Sequence, residues 1–150
     1  MIRLNIEALT HLTHLLLPGM LARRSGGILN IASTAAFQPG PGMAVYFATK
    51  SYVLSFSMAL AEEVKGSGVT VTCLCPGPTE TEFADRAGIQ KTRLFRGNVM
   101  KVDDVARIGY EAFAGGRDLA IAGFQNKLSA FATRLVPISW SRKVAGALLD

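Results

Sequence analysis

Residues 26–50 read GGILNIASTAAFQPGPGMAVYFATK, and the punctuation of this stretch decides the fold. Gly26-Gly27 stops a helical pattern, and Ile28-Leu29-Asn30-Ile31-Ala32 is a short, mostly apolar run of strand length. Such a run predicts a strand buried on both faces, with Ser33 at its C-terminal end. Pro39-Gly40-Pro41-Gly42 excludes both helix and sheet interior, so the chain loops there until about Met43. From about Ala44 to Lys65 the residues Val53, Leu54, Phe56, Leu60 and Val64 form the apolar face of a helix, closed by Gly66-Ser67-Gly68.

Working outward, Leu9, Leu12, Leu16 and Met20 recur at helical spacing, which predicts one long helix from Leu4 to about Arg24. Downstream, Val69 to Leu74 reads as a second buried strand, broken by Pro76-Gly77-Pro78. Helix, strand, loop, helix and strand with short connections imply parallel strands joined by helical crossovers, hence an α/β fold with a doubly wound sheet. Thr79 to about Lys101 is polar and aperiodic, with scattered Phe83, Leu94 and Phe95, and is expected to be a mobile surface segment of lid length. Asp103 is expected to cap a helix from about Asp104 to Phe113, with Leu119–Ala122 a third strand. The tail from Asn126 to Leu149 reads as helical, broken at Pro137. One domain is expected over 1–150, without repeats or linkers.

The composition narrows the classes. With 49% hydrophobic and 18% charged residues the chain has the balance of a buried core, and disorder is excluded. His11, Thr13 and His14 interrupt the apolar stretch from Ile6 to Met20, so no transmembrane helix is expected. Met1-Ile2-Arg3-Leu4-Asn5 has neither the basic start nor the cleavage site of a secretory signal, which makes a cytoplasmic protein the default expectation. The net charge of +5 is dispersed, with only Arg23-Arg24 and Arg142-Lys143 adjacent, and argues against nucleic acid. Cys73 and Cys75 lie two apart on a strand and read as small buried hydrophobes. His11 and His14 lack further ligands, and no metal site is expected. Glu80, Glu82 and Asp85 form an acidic cluster read as solvated, with contact to substrate or gating of the cleft as the other reading. The tail sets Leu128, Phe131, Leu135 and Val136 against Lys127, Arg134, Arg142 and Lys143, a weakly basic amphipathic pattern. Docking on the domain or on a second subunit is its plain reading, and peripheral membrane contact the sharper one.

The chemistry lies in Tyr46, Lys50 and Ser33. Tyr46 and Lys50 are four apart at a helix start and share one face. A tyrosine titrates near ~10 in water, and a neighbouring ammonium favours the phenolate, which draws the phenol towards effective proton transfer at neutral pH. Ser33 stands at a strand's C-terminal end, where open α/β sheets place ligands. Its hydroxyl can hold a carbonyl or alcohol oxygen within reach of Tyr46, or simply cap local backbone.

Ser33, twelve intervening residues, Tyr46-Phe47-Ala48-Thr49-Lys50, and later Pro76-Gly77-Pro78-Thr79-Glu80-Thr81 resemble the short-chain dehydrogenase/reductase family. The likeness runs from the first residues to about Phe83 and continues more weakly through the helix near Asp103. It implies the C-terminal half of a Rossmann-like sheet, with about 1–85 a catalytic core, about 86–101 a substrate loop and about 102–150 a helix, strand and helical tail. It further implies an NAD(P)-dependent oxidoreductase acting on a small carbonyl or alcohol substrate, with NADP or NAD as cofactor. In that family the tyrosine is the general acid/base, the lysine binds the nicotinamide ribose and lowers the tyrosine pKa, and the serine orients substrate. Those roles fall on Tyr46, Lys50 and Ser33. Asn5 matches an asparagine whose backbone helps hold a water linking the lysine to solvent, with a mid-helix asparagine at a kink as the other reading. Pro76 and Gly77 match the turn beside the nicotinamide, and Thr81 the position that hydrogen-bonds its carboxamide. Ala32 and Thr79 depart from the common serine and aliphatic residues.

The family's opening strand, glycine-rich turn and phosphate-binding helix have no counterpart in the sequence. Gly26-Gly27 follow a helix, and Gly40 and Gly42 lie in the proline loop. A non-catalytic remnant serving as an oligomerisation or interaction module is therefore the alternative expectation. The resemblance also implies a homo-oligomer built through the helices near 4–24 and 44–65.

Overall fold

The computed structural model describes residues 1–90, 92–97 and 99–149. Strands β1 (Gly26–Ile31), β2 (Val69–Cys75) and β3 (Leu119–Ile121) form one parallel sheet in that order. The register runs from Gly26 opposite Val69 to Ile31 opposite Leu74, and from Cys73 opposite Leu119 to Cys75 opposite Ile121. Gly68 sets the entry to β2: its φ of 86° is open to glycine, and a Cβ there would run into the Arg24 carbonyl. The chain can thus cross directly beneath the end of the first helix.

Helix α1 (Leu9–Ala22) and helix α2 (Ala44–Glu63) cover one face of the sheet. Leu60, Ala61 and Val64 of α2 pack there on Val69 and Val71, with Leu17, Met20 and Ile28 beside them. Helix α5 (Val102–Ala114) covers the other face, where Val105 and Ala112 meet Leu74, Ala120 and Ala122. Helices on both faces of parallel strands give the doubly wound α/β arrangement expected from the element order. No helix among the described residues is long and apolar enough to cross a membrane.

Several boundaries differ from the sequence reading. The long first helix divides: Arg3–Ala8 is π-helical and only Leu9–Ala22 is α-helical. β1 is not buried on both faces, because Leu29 and Ile31 stay exposed on the side that α5 does not reach. The proline loop is preceded by a 3-10 turn over Thr34–Phe37. Within the segment expected to be aperiodic stand α3 (Glu82–Ala87) and α4 (Arg93–Arg96). Thr81 caps α3 by accepting from Phe83 N, Glu82 and Asp85 sit in its first turn, and Gly88 ends it in the left-handed region. Lys91 and Asn98 of that segment, and Asp150 of the tail, lie outside the described residues. The next helix is capped at Lys101 rather than Asp103, which lies in its first turn, where a carboxylate favours the helix dipole. The tail forms α6 (Phe124–Ala132) and α7 (Ile138–Leu149) on either side of Pro137.

Candidate active site

The C-terminal ends of β1 and β2 open into a cavity of about 220 Å³. Ser33 follows β1, Pro76 and Gly77 follow β2, Tyr46 and Lys50 descend from the first turns of α2, and Thr81 precedes α3; all six line this cavity. The four-residue spacing of Tyr46 and Lys50 turns both side chains inward, with Lys50 Nζ 5.9 Å from the centre of the Tyr46 ring. Ser33 ends the strand in extended backbone and caps the 3-10 turn, its Oγ accepting from Ala35 N at 3.1 Å and donating to Pro76 O at 3.4 Å. The capping hydroxyl also lies against the Tyr46 phenol.

Burial pushes the Tyr46 phenol above the usual tyrosine range, and the neighbouring Ser33 hydroxyl pulls it partly back. Lys50 does not act as the sequence reading expects. Its ammonium donates to Ile31 O at 2.9 Å, and burial holds it below the usual lysine range, against the opposing pull of the Cys73 and Cys75 thiols. Desolvation dominates both groups, so Tyr46 moves up rather than down. The site thus sets a neutral phenol beside a lysine that is hydrogen-bonded to a strand carbonyl. The thiols lie beneath Lys50 on β2 with sulfur atoms 4.0 Å apart, and the hydrogen bond between them pushes Cys75 up and Cys73 down.

Asn5 stands apart from the cavity. It lies in the π-helical turn, and its Nδ2 donates to Thr49 Oγ1 at 3.0 Å, which in turn donates to Tyr46 O at 2.8 Å. It lines a separate groove with Leu12, Leu16 and Lys50, so the lysine forms the wall between groove and cavity. The turn that carries Asn5 is widened to a π-helix. Thr81 uses its hydroxyl to cap α3, accepting from Phe83 N at 3.3 Å. Gly77 is required by close approach: a Cβ would collide with the side chain of Asn126, whose Nδ2 donates to Ala122 O at 2.7 Å.

Sequence reasoning passed over the aromatic setting of the phenol. Phe83 lies 5.1 Å from the Tyr46 ring at 34°, and Phe47 meets it edge-on at 5.9 Å and 80°. Phe95 and Leu149 complete the apolar wall. Phe47 adjoins the tyrosine in sequence and was readable as its neighbour, whereas Phe83, Phe95 and Leu149 arrive through loop and tail geometry that no periodicity announces.

Residues 1–92 match the family model for short chain dehydrogenases. An uncharacterized oxidoreductase of Bacillus subtilis is 40% identical over 107 residues, which cover 67% of this chain and 41% of that protein. A serine 3-dehydrogenase of Rhizobium radiobacter is 39% identical over 111 residues, 71% of this chain and 44% of the relative. Among solved structures, a short-chain dehydrogenase from Sphingobium yanoikuyae in complex with NADPH superposes with a TM-score of 0.74 at 32% identity, covering 89% of this chain and 54% of that one. The chain thus spans less than half the length of these two curated relatives. With tyrosine, lysine and serine gathered at the strand ends, the parallel sheet beneath them and the family match across most of that region, this chain belongs to the short chain dehydrogenase family.

Proposed function

We propose that this chain supplies the proton-transfer half of an NAD(P)-dependent oxidoreductase acting on a carbonyl or alcohol carbon, with Tyr46 as general acid/base. The observation that carries the reading is the shared cavity of Ser33, Tyr46 and Lys50 at the C-terminal ends of parallel strands. A nicotinamide dinucleotide, when bound, supplies or accepts the hydride. The residues fit its ribose end: a phenol and an ammonium side by side offer donors to vicinal hydroxyls, and the lysine keeps N–H groups beyond the one given to Ile31 O. Pro76, Gly77 and Thr81 border the same cavity and would hold the carboxamide end. The NADPH of the Sphingobium relative supports this class of cofactor.

The charge state follows from desolvation. Because burial raises the Tyr46 pKa, the phenol keeps its proton at neutral pH and is ready to donate to the oxygen of a carbonyl being reduced. Ser33 orients that oxygen by donating its hydroxyl hydrogen, and Lys50 balances negative charge that develops on Tyr46 Oη. In the reverse direction Tyr46 first gives its own proton to solvent, and the resulting phenolate, faced by Lys50, takes the alcohol proton. Phe47, Phe83 and Phe95 restrict water around the phenol, which strengthens these interactions.

The test is turnover with NADPH or NADH and a panel of ketones and aldehydes, comparing the chain with Tyr46→Phe. A loss of about 10²–10⁴-fold with an unchanged circular dichroism spectrum is expected for removal of a general acid. Retained turnover in the variant overturns the role of Tyr46. A second reading, an interaction module without catalysis, is favoured by the exposed apolar side chains of α1 and β1, among them Leu12, Leu16 and Leu29. Saturable NADPH binding, followed by nicotinamide fluorescence, counts against it.

A further inference from the structure

The two tail helices do not hide their apolar residues. On α6 and just beyond it, Phe124, Leu128, Phe131 and Leu135 recur at positions i, i+4, i+7 and i+11, which is a single helical stripe, and it faces outward: Phe124 is 80% and Phe131 61% exposed. On α7 the buried positions are Ser141 and Ala145, while Trp140, Val144 and Leu148 form the outer stripe, with Trp140 67% exposed. Docking of this amphipathic tail onto its own domain accordingly engages the small residues and leaves the large ones free. Aromatic and aliphatic side chains of this size, repeated along two consecutive helices, exceed the scattered exposure of an ordinary surface.

Charge identifies the complement. From Leu119 to Leu149 the chain contains Lys127, Arg134, Arg142 and Lys143 and not one aspartate or glutamate. Lys143 lies three residues from Trp140 and next to Val144, within the apolar stripe, and Lys127 lies beside Leu128 in the same way. None of these four cations forms a salt bridge among the described residues; Arg134 rests instead over the Phe37 ring, 5.9 Å from its centre. The exposed apolar face of α1, by contrast, carries His11 and His14 and no such cations. Arg134 and Arg142 thus turn towards the domain, Arg142 bordering the cavity between α7 and the proline loop. Lys127 and Lys143, interleaved with Phe, Trp and Leu, match an apolar layer beneath anionic headgroups, where the stems lie along the apolar surface and the charges reach outward.

We propose that the outer face of α6 and α7 docks on an anionic lipid surface, in the plane of the headgroups. Among the described residues no helix is long and apolar enough to span, and the proposed contact is peripheral. The docked element also reaches the catalytic cavity: α7 packs against α4, whose Phe95 lines that cavity together with Leu149 of α7. Lipid contact thus lies one helix thickness from the proposed site of chemistry.

Trp140 is the only tryptophan of the chain, which makes its fluorescence a direct reporter of this face. The chain is titrated with vesicles of phosphatidylcholine carrying about one-third phosphatidylglycerol. The expected result is a blue shift of Trp140 emission, quenched by lipids brominated along the acyl chain, reduced by salt and at least tenfold weaker on phosphatidylcholine alone. The double reversal Lys127→Glu, Lys143→Glu is expected to weaken vesicle binding at least about thirtyfold, at about one tenfold step per 1.4 kcal/mol and 1 kcal/mol per basic residue. Phe131→Ser, which keeps every charge, is expected to weaken it as well. An unshifted Trp140 on anionic vesicles overturns the proposal. So does emission that is already blue-shifted in vesicle-free buffer and follows protein concentration in parallel with sedimentation, since a second copy then covers the face.

Discussion

The two faces of the sheet are built on different terms. The face formed by Ile28, Asn30, Val71, Cys73 and Cys75 lies under α1, which leads into β1, and α2, which crosses from β1 to β2. Its polar residue is hydrogen-bonded, with Asn30 Nδ2 donating to Ser57 Oγ at 2.9 Å and Ser57 Oγ to Val53 O at 2.7 Å. The opposite face, formed by Leu29, Ile31, Thr72 and Leu74, has α5 alone. That helix approaches closely through Gly109 and Ala112, covers Leu74, and leaves Leu29 and Ile31 exposed. The comparison separates two tasks: the first face holds the helix that carries Tyr46 and Lys50, whereas the second is fixed by α5 at Leu74, with a further close approach of Phe113 to Gly27.

If that point of packing carries the second face, breaking it has the largest effect. Leu74 is 3% exposed and its Cδ2 would lie 2.6 Å from a Cβ added at Gly109. Leu74→Ala is expected to cost about 2–5 kcal/mol, through lost transfer and the cavity left beneath α5, read as a lower urea midpoint. A cost below about 1 kcal/mol would mean that α5 collapses freely onto the sheet.

Gly109→Ala sharpens the same contact and is expected to cost about 1–3 kcal/mol from overpacking against Leu74. Alanine also propagates a helix better than glycine by about 1 kcal/mol. Introduced into the Leu74→Ala protein, the substitution has no leucine to meet and is expected to stabilise by up to that amount. The sign of its effect therefore reverses between the two backgrounds. Additive behaviour would show that Leu74 and Gly109 are not partners.

How much of this was legible in the sequence depends on the range of the interaction. The alternation of helix and strand was readable because 3.6-residue and short apolar patterns are local. The sharing of one cavity by Ser33, Tyr46 and Lys50 was readable because strand ends and a four-residue helical step place side chains by backbone geometry alone. The bare side of β1 was not, since Ile28-Leu29-Asn30-Ile31 reads the same whether or not a helix lies over Leu29. Helix α3 was missed although Thr81 and Gly88 are ordinary start and stop signals, because the polar residues between them masked its short length. The direction of the Tyr46 shift was misread for a physical reason: the charge of Lys50 was visible in the letters, but its hydrogen bond to Ile31 O and the desolvation of both groups were not.

Thr72 lies in the same face as Leu74, fully buried, and its Oγ1 has no hydrogen-bond partner among the described residues. The engaged Asn30 across the sheet makes the contrast. Thr72→Val keeps the shape and removes the orphaned hydroxyl, and is expected to stabilise the chain by about 1 kcal/mol in urea unfolding. A destabilisation of that size would mean that the hydroxyl is satisfied, by an ordered water or an added chain over this face.

The smallest effect is expected on the uncovered side of β1. Leu29→Thr replaces a half-exposed apolar residue with one equally suited to a strand, and the unfolding free energy is expected to change by about 0.5 kcal/mol or less. The measurement gains force when made at two protein concentrations. A concentration-dependent midpoint in the parent chain, lost in the variant, would show that association covers Leu29 and contributes to stability. The contrast between the faces would then describe only the isolated chain, and the side read here as bare would be an interface in its own right.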